Sequence, residues 1–405
     1  MRSDRPGRPR YRNRLGRASS VVCSTLILLV ALSTSAVGST PDAVATATGG
    51  ALSPPPDSPF SEAVGGAALA ATGVPVVSTA APPLPAVEAP AWLVADLDSG
   101  SVLAALDAHA HLPPASTIKL LTALAILPSV DAGQPYTATE DDARTEGSRV
   151  GLVPEHEYTI ADLEHALLLA SGNDAATALA AIVGGQARAL TLMNDEAARL
   201  GAFDTNATNP HGLDAPGQVT SAYDLALIAR AVLADEHLAG LVRTQTYDFP
   251  GLDGATFQIQ NHNRLLGDYE GAIGLKTGYT SISGHSLVAA AEREGTRLVA
   301  VVLGAESRAE PVAQALLDWG FAATERAEPV GRLVTPEQVA AAVAESAGSA
   351  GPDAPPADPA ADAAEAGWEV SWLWAAAAAA GAAAVVLVLS RRGRRHRTGR
   401  YAGRV

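Results

Sequence analysis

Two long stretches of this chain are too poor in large apolar side chains to build a core, and they confine where it can fold. Residues 39–90 are rich in Ala, Pro, Thr, Ser and Gly, with Pro54-Pro55-Pro56-Asp57-Ser58-Pro59 near the middle. Residues 324–368 have the same character with an acidic bias. Such composition buries too little apolar surface to offset the entropy of ordering, so both stretches read as linkers. A short helix over 336–346 is the one element expected there. The folding unit is then 91–323, long enough for a real core.

The ends carry different signals. Arg2, Arg5, Arg8, Arg10, Arg12, Arg14 and Arg17 precede an apolar run from Val21 to Leu32, and small residues follow. This order marks residues 1–38 as a signal peptide or N-terminal anchor; the run is short for a bilayer span. Residues 369–390 form a second apolar segment, read as a transmembrane helix, and the basic tail 391–405 reads as cytoplasmic. Trp368, Trp372 and Trp374 mark its other interface. These signals predict an exported protein on the cell membrane, with the folding unit on the extracytoplasmic side. The formal net charge is −15 and the basic residues gather at the termini, which argues against a nucleic-acid partner. The lone Cys23 cannot form an internal disulfide.

Within 91–323, Ala91–Leu97 and Ser101–Leu106 are apolar runs joined by Asp98-Ser99-Gly100, which is hairpin chemistry. Helical spacing follows over 116–127, 162–170, 175–183, 186–200 and 221–233. The runs 286–291 and 297–303 are β-like, and 310–319 closes the unit as a helix. Strands at both ends with helices between them predict an α/β (α+β) fold, an antiparallel sheet flanked by helices.

Three motifs carry chemistry. In Ser116-Thr117-Ile118-Lys119 the lysine lies one helical turn beyond the serine, so its amine reaches the hydroxyl. A serine needs a base to become a nucleophile, and lysine serves only where burial or a nearby cation lowers its pKa. Alone, Ser116 reads as a helix cap, since cap serines are common. Ser171-Gly172-Asn173 breaks two helical runs and offers a hydroxyl relay and an amide donor; alone it is an interhelix turn. Lys276-Thr277-Gly278 precedes the strand-like Ser286 run. It supplies positive charge, a hydroxyl for a carboxylate, and a glycine that lets substrate backbone approach.

The ordered set S-x-x-K, S-x-N, K-T-G is the signature of penicillin-binding proteins and class A β-lactamases. The surrounding text sharpens it: Pro114-Ala115-Ser116-Thr117-Ile118-Lys119, LLLASGNDAATALA, Asn209-Pro210-His211-Gly212-Leu213-Asp214, TSAYDLALIAR, NHNRLLGDYEGAIGLKTGYTSISGHSLVAAA and LLDWGF. Over about 92–321 the chain resembles D-alanyl-D-alanine carboxypeptidases of the penicillin-binding protein 5 type, serine peptidase family S11. The resemblance implies a serine β-lactamase/transpeptidase-like fold and a peptidoglycan stem peptide ending in D-Ala-D-Ala as substrate. It also implies covalent inhibition by β-lactams. Ser116 would attack the penultimate D-Ala carbonyl, Lys119 would take its proton, and Ser171 and Lys276 would pass a proton to the leaving D-Ala. The amides of Ser116 and Tyr279 would form the oxyanion hole. Asn173 would hold the substrate amide and Thr277 its terminal carboxylate, Gly278 would let the substrate backbone approach, and Arg308 would add charge for that carboxylate.

The tail departs from the resemblance: a linker and an apolar helix stand where a β-rich domain and an amphipathic anchor are usual. His211 and His285 read as structural residues, because no third ligand is spaced suitably for a metal. The Ser–Lys arrangement requires no cofactor. The rival readings are a β-lactamase, for which no Glu-x-x-Leu-Asn counterpart stands between Ser171 and Lys276, and a non-catalytic peptidoglycan-binding envelope protein.

Overall fold

A computed structural model describes residues 58–349. The expected signal or anchor 1–38, membrane helix 369–390 and basic tail 391–405 lie outside the described residues. Among the described residues, no single helix is both long and apolar enough to cross a membrane.

The main sheet takes strands from both ends of the unit. These are β1 (Val76–Val77), β2 (Ala91–Asp96), β3 (Ser101–Leu106), β4 (Ala272–Thr280), β5 (Gly284–Arg293), β6 (Thr296–Ala305) and β7 (Gly331–Arg332). Their spatial order is β1-β3-β2-β6-β5-β4, with β7 also paired to β3, and every pairing is antiparallel. The β2–β3 hairpin and the β5–β6 hairpin bring the two ends of the chain together along β2 and β6, where Val301 faces Leu93.

The strands read as continuous apolar runs because both faces are covered. On β2, Leu93 and Ala95 point into one core and Trp92 and Val94 into another. On β6, Val299 and Val301 join the first core, and Leu298, Ala300 and Val302 the second. Alternate side chains project to opposite faces of a strand, so the central strands need apolar residues at every position. The first core packs against α1 (Lys119–Ile126), α2 (Ile160–Leu168), α3 (Asn173–Ile182), α4 (Gln186–Leu200) and α5 (Ala222–Ala234). The second is closed by α6 (Ala309–Ala323), through Ala313, Leu316 and Leu317.

The helices start where their side chains dictate. Thr159 and Asp162 form a reciprocal capping box at α2, with Asp162 N to Thr159 Oγ1 at 3.1 Å and Thr159 N to Asp162 Oδ2 at 2.8 Å. Ser221 caps α5 by accepting from Asp224 N at 3.1 Å. Helix α4 has the bounds its periodicity predicts, and ends at Gly201 in the left-handed region, φ 83°.

The packed unit is wider than 91–323, and this corrects the linker reading at both edges. Val64 and Leu69 are 2% and 1% exposed, and β1 pairs with β3. Pro82 O accepts from Trp319 Nε1 at 3.0 Å. On the other flank, Leu333 and Val339 are buried, and α7 (Pro336–Ser349) extends the short helix expected there. The flanks also meet each other: Arg332 N donates to Gly65 O at 2.9 Å, and Tyr223 Oη donates to Arg332 O at 2.7 Å. His109 ties the first flank down, its ring nitrogens lying 2.7 Å from Asp204 Oδ2 and 3.0 Å from Val64 O. Composition missed this because a chain draped over an existing core needs only a few anchoring side chains, not a core of its own. Leu69→Ala is therefore expected to lower the stability of the whole unit by about 2–5 kcal/mol. A urea midpoint that falls while the slope stays constant would show it; an unchanged midpoint would mean the flank is not part of the fold.

Candidate active site

Pro113 and Pro114 deliver the chain to a tight 3-10 turn, Ala115–Ile118, that runs directly into α1. Ser116 sits in that turn and Lys119 opens the helix, so the spacing seen in the sequence brings Lys119 Nζ to 2.9 Å from Ser116 Oγ. The turn holds Ala115 at φ 47°, and the interhelix turn holds Ser171 at φ 60°. Both are non-glycine residues in the left-handed region, a strain that folded proteins tend to keep at working sites.

Lys119 is completely buried. Its amine also reaches Asn173 Oδ1 at 2.7 Å and His211 O at 2.5 Å. Both of those oxygens can only accept. A neutral amine would spend its two hydrogens on them and leave its lone pair for the Ser116 hydroxyl, which is the geometry of a base. Burial drives the lysine pKa well below its ordinary value, and Lys276 lowers it further, while Asp174 opposes the shift.

Asn173 has a neighbour besides any ligand. The residue is 3% exposed, its Nδ2 donates to Glu146 O at 2.6 Å, and its Oδ1 accepts from Lys119. The amide oxygen thereby orients the lysine. No pattern in the sequence marked Asp174 or the His211 carbonyl. The Asp174 carboxylate accepts from the backbone N–H groups of Val150, Gly151 and Leu152 at 3.1, 2.8 and 3.1 Å. It thereby ties down the loop that brings Ser148 to the cleft. The loop 209–213 is pressed against the turn before Ser116: a Cβ on Gly212 would lie 1.9 Å from Ala115 O. His211 contributes its carbonyl, while burial and Lys119 push its ring pKa down to about 4.

The third motif lies inside β4, not ahead of a strand. β4 is the outer strand of the sheet on its side, so one edge of its backbone faces the cleft. Lys276 is 1% exposed, donates to Thr277 O at 3.0 Å, and burial lowers its pKa to about 7. Gly278 is required by close approach: a Cβ there would stand 3.0 Å from Ser116 N and 3.1 Å from Thr117 N. Gly278→Ala is expected to push β4 away from the Ser116 turn by a few tenths of an ångström. Misplacement of reacting groups is costly, so the rate of covalent labelling by a fluorescent penicillin should fall about tenfold or more with little change in melting temperature. An unchanged rate would show that β4 is not part of the reacting geometry.

These elements enclose a cleft of about 570 Å³. Ser116, Ser171, Thr277, Gly278, Tyr279 and Arg308 line it, so six of the nine sequence-selected residues share one surface. Lys119, Lys276 and Asn173 lie buried beside it. Tyr279 is largely exposed at the rim and packs on His285, with ring centroids 4.5 Å apart. Arg308 is held by Glu310, with Nη2 to Oε1 at 3.0 Å and Nε to Oε2 at 3.3 Å. A serine against a buried amine, with a second buried amine nearby and a strand edge alongside, is equipped for acyl transfer.

The family model for D-alanyl-D-alanine carboxypeptidase, peptidase family S11, matches residues 76–307. D-alanyl-D-alanine carboxypeptidase DacB2 of Mycobacterium tuberculosis is 44% identical over 62% of this chain and 88% of its own length. DacD of Salmonella typhimurium is 37% identical, and the alignment takes in 59% of this chain and 64% of the relative. Among solved structures, a D-alanyl-D-alanine carboxypeptidase from Mycobacterium tuberculosis H37Rv superposes with a TM-score of 0.61 at 42% identity, covering 64% of this chain and 100% of that one. A point mutant of the Streptomyces K15 DD-transpeptidase superposes with a TM-score of 0.56 at 26% identity, covering 59% of this chain and 99% of that one. On fold, motif order and the extent of these matches, the chain belongs to the D-alanyl-D-alanine carboxypeptidase family of serine peptidases, S11.

Proposed function

We propose that the protein is a serine-type D-Ala-D-Ala carboxypeptidase that removes the terminal D-Ala from peptidoglycan stem peptides and is acylated by β-lactams. The observation that carries this reading is the Ser116–Lys119 pair, in which a fully buried amine faces the hydroxyl of a cleft serine at 2.9 Å. In the first step Ser116 Oγ bonds to the carbonyl carbon of the penultimate D-Ala as Lys119 takes the hydroxyl proton. The backbone N–H groups of Ser116 and Tyr279 receive the developing oxyanion, an interaction commonly worth several kcal/mol in such sites. The peptide C–N bond then breaks, and a proton reaches the leaving amine through Ser171, supported by Lys276. Thr277 takes part in holding the substrate's carboxylate end, and Gly278 keeps the strand edge clear for its backbone. Substrate added along the free edge of β4 would extend the sheet, a common mode of peptide recognition.

Water then cleaves the Ser116 ester and frees the shortened peptide. Asn173 aims Lys119 through its Oδ1 and offers the amide that holds the substrate. Export follows from the apolar and basic signals of residues 1–38, and a membrane helix at 369–390 would keep the site on the cell-wall side. The test is release of D-Ala from a pentapeptide together with persistent covalent labelling by a fluorescent penicillin. Rapid penicillin turnover without D-Ala release would favour a β-lactamase, and absence of labelling would favour a silent binder.

A further inference from the structure

A second, smaller cavity lies where β4 ends, beyond Tyr279. It measures about 290 Å³ and is lined by Pro113, Asp214, Ala215, Pro216, Gln218 and Ile282. Its walls are largely apolar, and Asp214 is the only charged residue among them. Gln218 is 3% exposed, and its amide is committed to Thr208 and Asn209. Thr280 aims the Asp214 carboxylate, its Oγ1 donating to Asp214 Oδ1 at 2.9 Å. The same Oγ1 accepts from Ser283 N at 2.9 Å, and the Ser283 hydroxyl donates to Gly284 O at 3.0 Å, which leaves the Thr280 hydrogen for Asp214. The loop that carries Asp214 is braced from within: Gly212 N donates to Asn209 Oδ1 at 2.7 Å, and Asn209 Nδ2 to Leu213 O at 2.8 Å. Asp214 itself is exposed. Among the described residues it forms no ion pair, and its Oδ2 accepts no hydrogen bond.

We propose that this cavity is the subsite for the residue on the acyl side of the D-Ala-D-Ala unit, and that Asp214 selects there an aliphatic side chain ending in an ammonium group. This rests on the carboxypeptidase reading, which sets the direction of the substrate. Thr277 takes the carboxylate end and the Tyr279 N–H meets the scissile carbonyl, so the rest of the peptide runs on toward Thr280. The cavity is within reach of one residue from there. Pro113 stands three positions before Ser116, and Asp214 two positions after Gly212, which is pressed against the Ala115 carbonyl. Successive Cα atoms are about 3.8 Å apart, so both walls lie within roughly 12 Å of the Ser116 backbone. Apolar walls suit a methylene stem, and the open carboxylate oxygen suits the cation at its end. An anionic side chain would be repelled by Asp214, and a neutral one would leave its charge unpaired.

The test measures D-Ala release by the full chain from two peptides, Nα-acetyl-L-Lys-D-Ala-D-Ala and the same peptide acetylated on its side-chain amine as well. The wild-type protein is expected to favour the free ammonium by about three- to tenfold in kcat/KM, the range of a partly exposed charge-assisted contact. That preference should fade as ionic strength rises. Asp214→Asn should bring the ratio of the two kcat/KM values close to one. Asp214→Lys should invert the selection, favouring a peptide with Glu in place of Lys. A purely structural role for Asp214 would lower both rates together and leave their ratio alone. An unchanged ratio in Asp214→Asn, or no preference in the wild type, would therefore overturn this assignment while D-Ala release upheld the carboxypeptidase reading. Absence of D-Ala release from either peptide would overturn that reading and this assignment with it.

Discussion

Ser116→Ala is expected to abolish covalent penicillin labelling and to cut D-Ala release by at least about 10⁴-fold, the scale on which a nucleophile contributes when its partners remain in place. The fold should survive the change. Lys119 Nζ would keep its bonds to Asn173 Oδ1 and His211 O and lose only the one to Ser116 Oγ. One such bond is worth about 1 kcal/mol, so the melting temperature should move by a few degrees at most. Labelling at wild-type stoichiometry in this variant would mean that another residue is acylated and would sink the mechanism. Loss of labelling with a normal melting temperature separates loss of the nucleophile from loss of structure.

Lys276→Met should trade activity for stability. Removing a group that assists proton transfer costs about 10²–10⁴-fold, so D-Ala release should fall within that range. The stability change follows from burial. The amine titrates at about 7 in the folded protein against an ordinary value of 10.5. Between those two values the unfolded chain binds the extra proton and the folded chain does not. The stability of the native protein therefore rises with pH across that window, by up to about 1.4 kcal/mol per pH unit from this residue. Its cost to folding is fully present below about pH 7. Methionine is apolar and of similar length, so the variant should be more stable at pH 7 and should lose that part of the rise between pH 7 and 10. Urea unfolding of both proteins at several pH values reads this directly. A variant less stable than the parent at pH 7 would show that the buried amine is satisfied well enough to stabilise the fold, and would remove the pressure that lowers its pKa.

Much of the site was legible in the sequence because its parts are local. Ser116 and Lys119 are one turn apart, and any helix there brings them together. Helix α4 and the β2–β3 hairpin followed from periodicity and turn chemistry in the same way. The strand status of Lys276-Thr277-Gly278 was harder, since the segment is short and mixed in polarity while its neighbour Ser286–Ala291 is plainly apolar. The flanks 58–90 and 331–349 were misread for the reason given by Val64, Leu69 and Val339. A handful of anchors hold each flank to surface supplied by other elements, and average composition does not register them.

The sequence by itself determined which candidate residues are offered for the chemistry and the order in which they occur, since side-chain type and i, i+3 spacing are properties of the chain alone. Only the tertiary structure decided what surrounds them. It placed Lys119 and Lys276 out of water, turned the Asn173 amide oxygen toward Lys119, pressed Gly212 and Gly278 against the Ser116 turn, and paired Arg308 with Glu310. The physical reason is that burial, close approach and charge pairing depend on atoms contributed by segments far apart in the chain. Antiparallel pairing across the sheet and packing of the helices on its faces bring those segments together, and no local pattern encodes the distances that result.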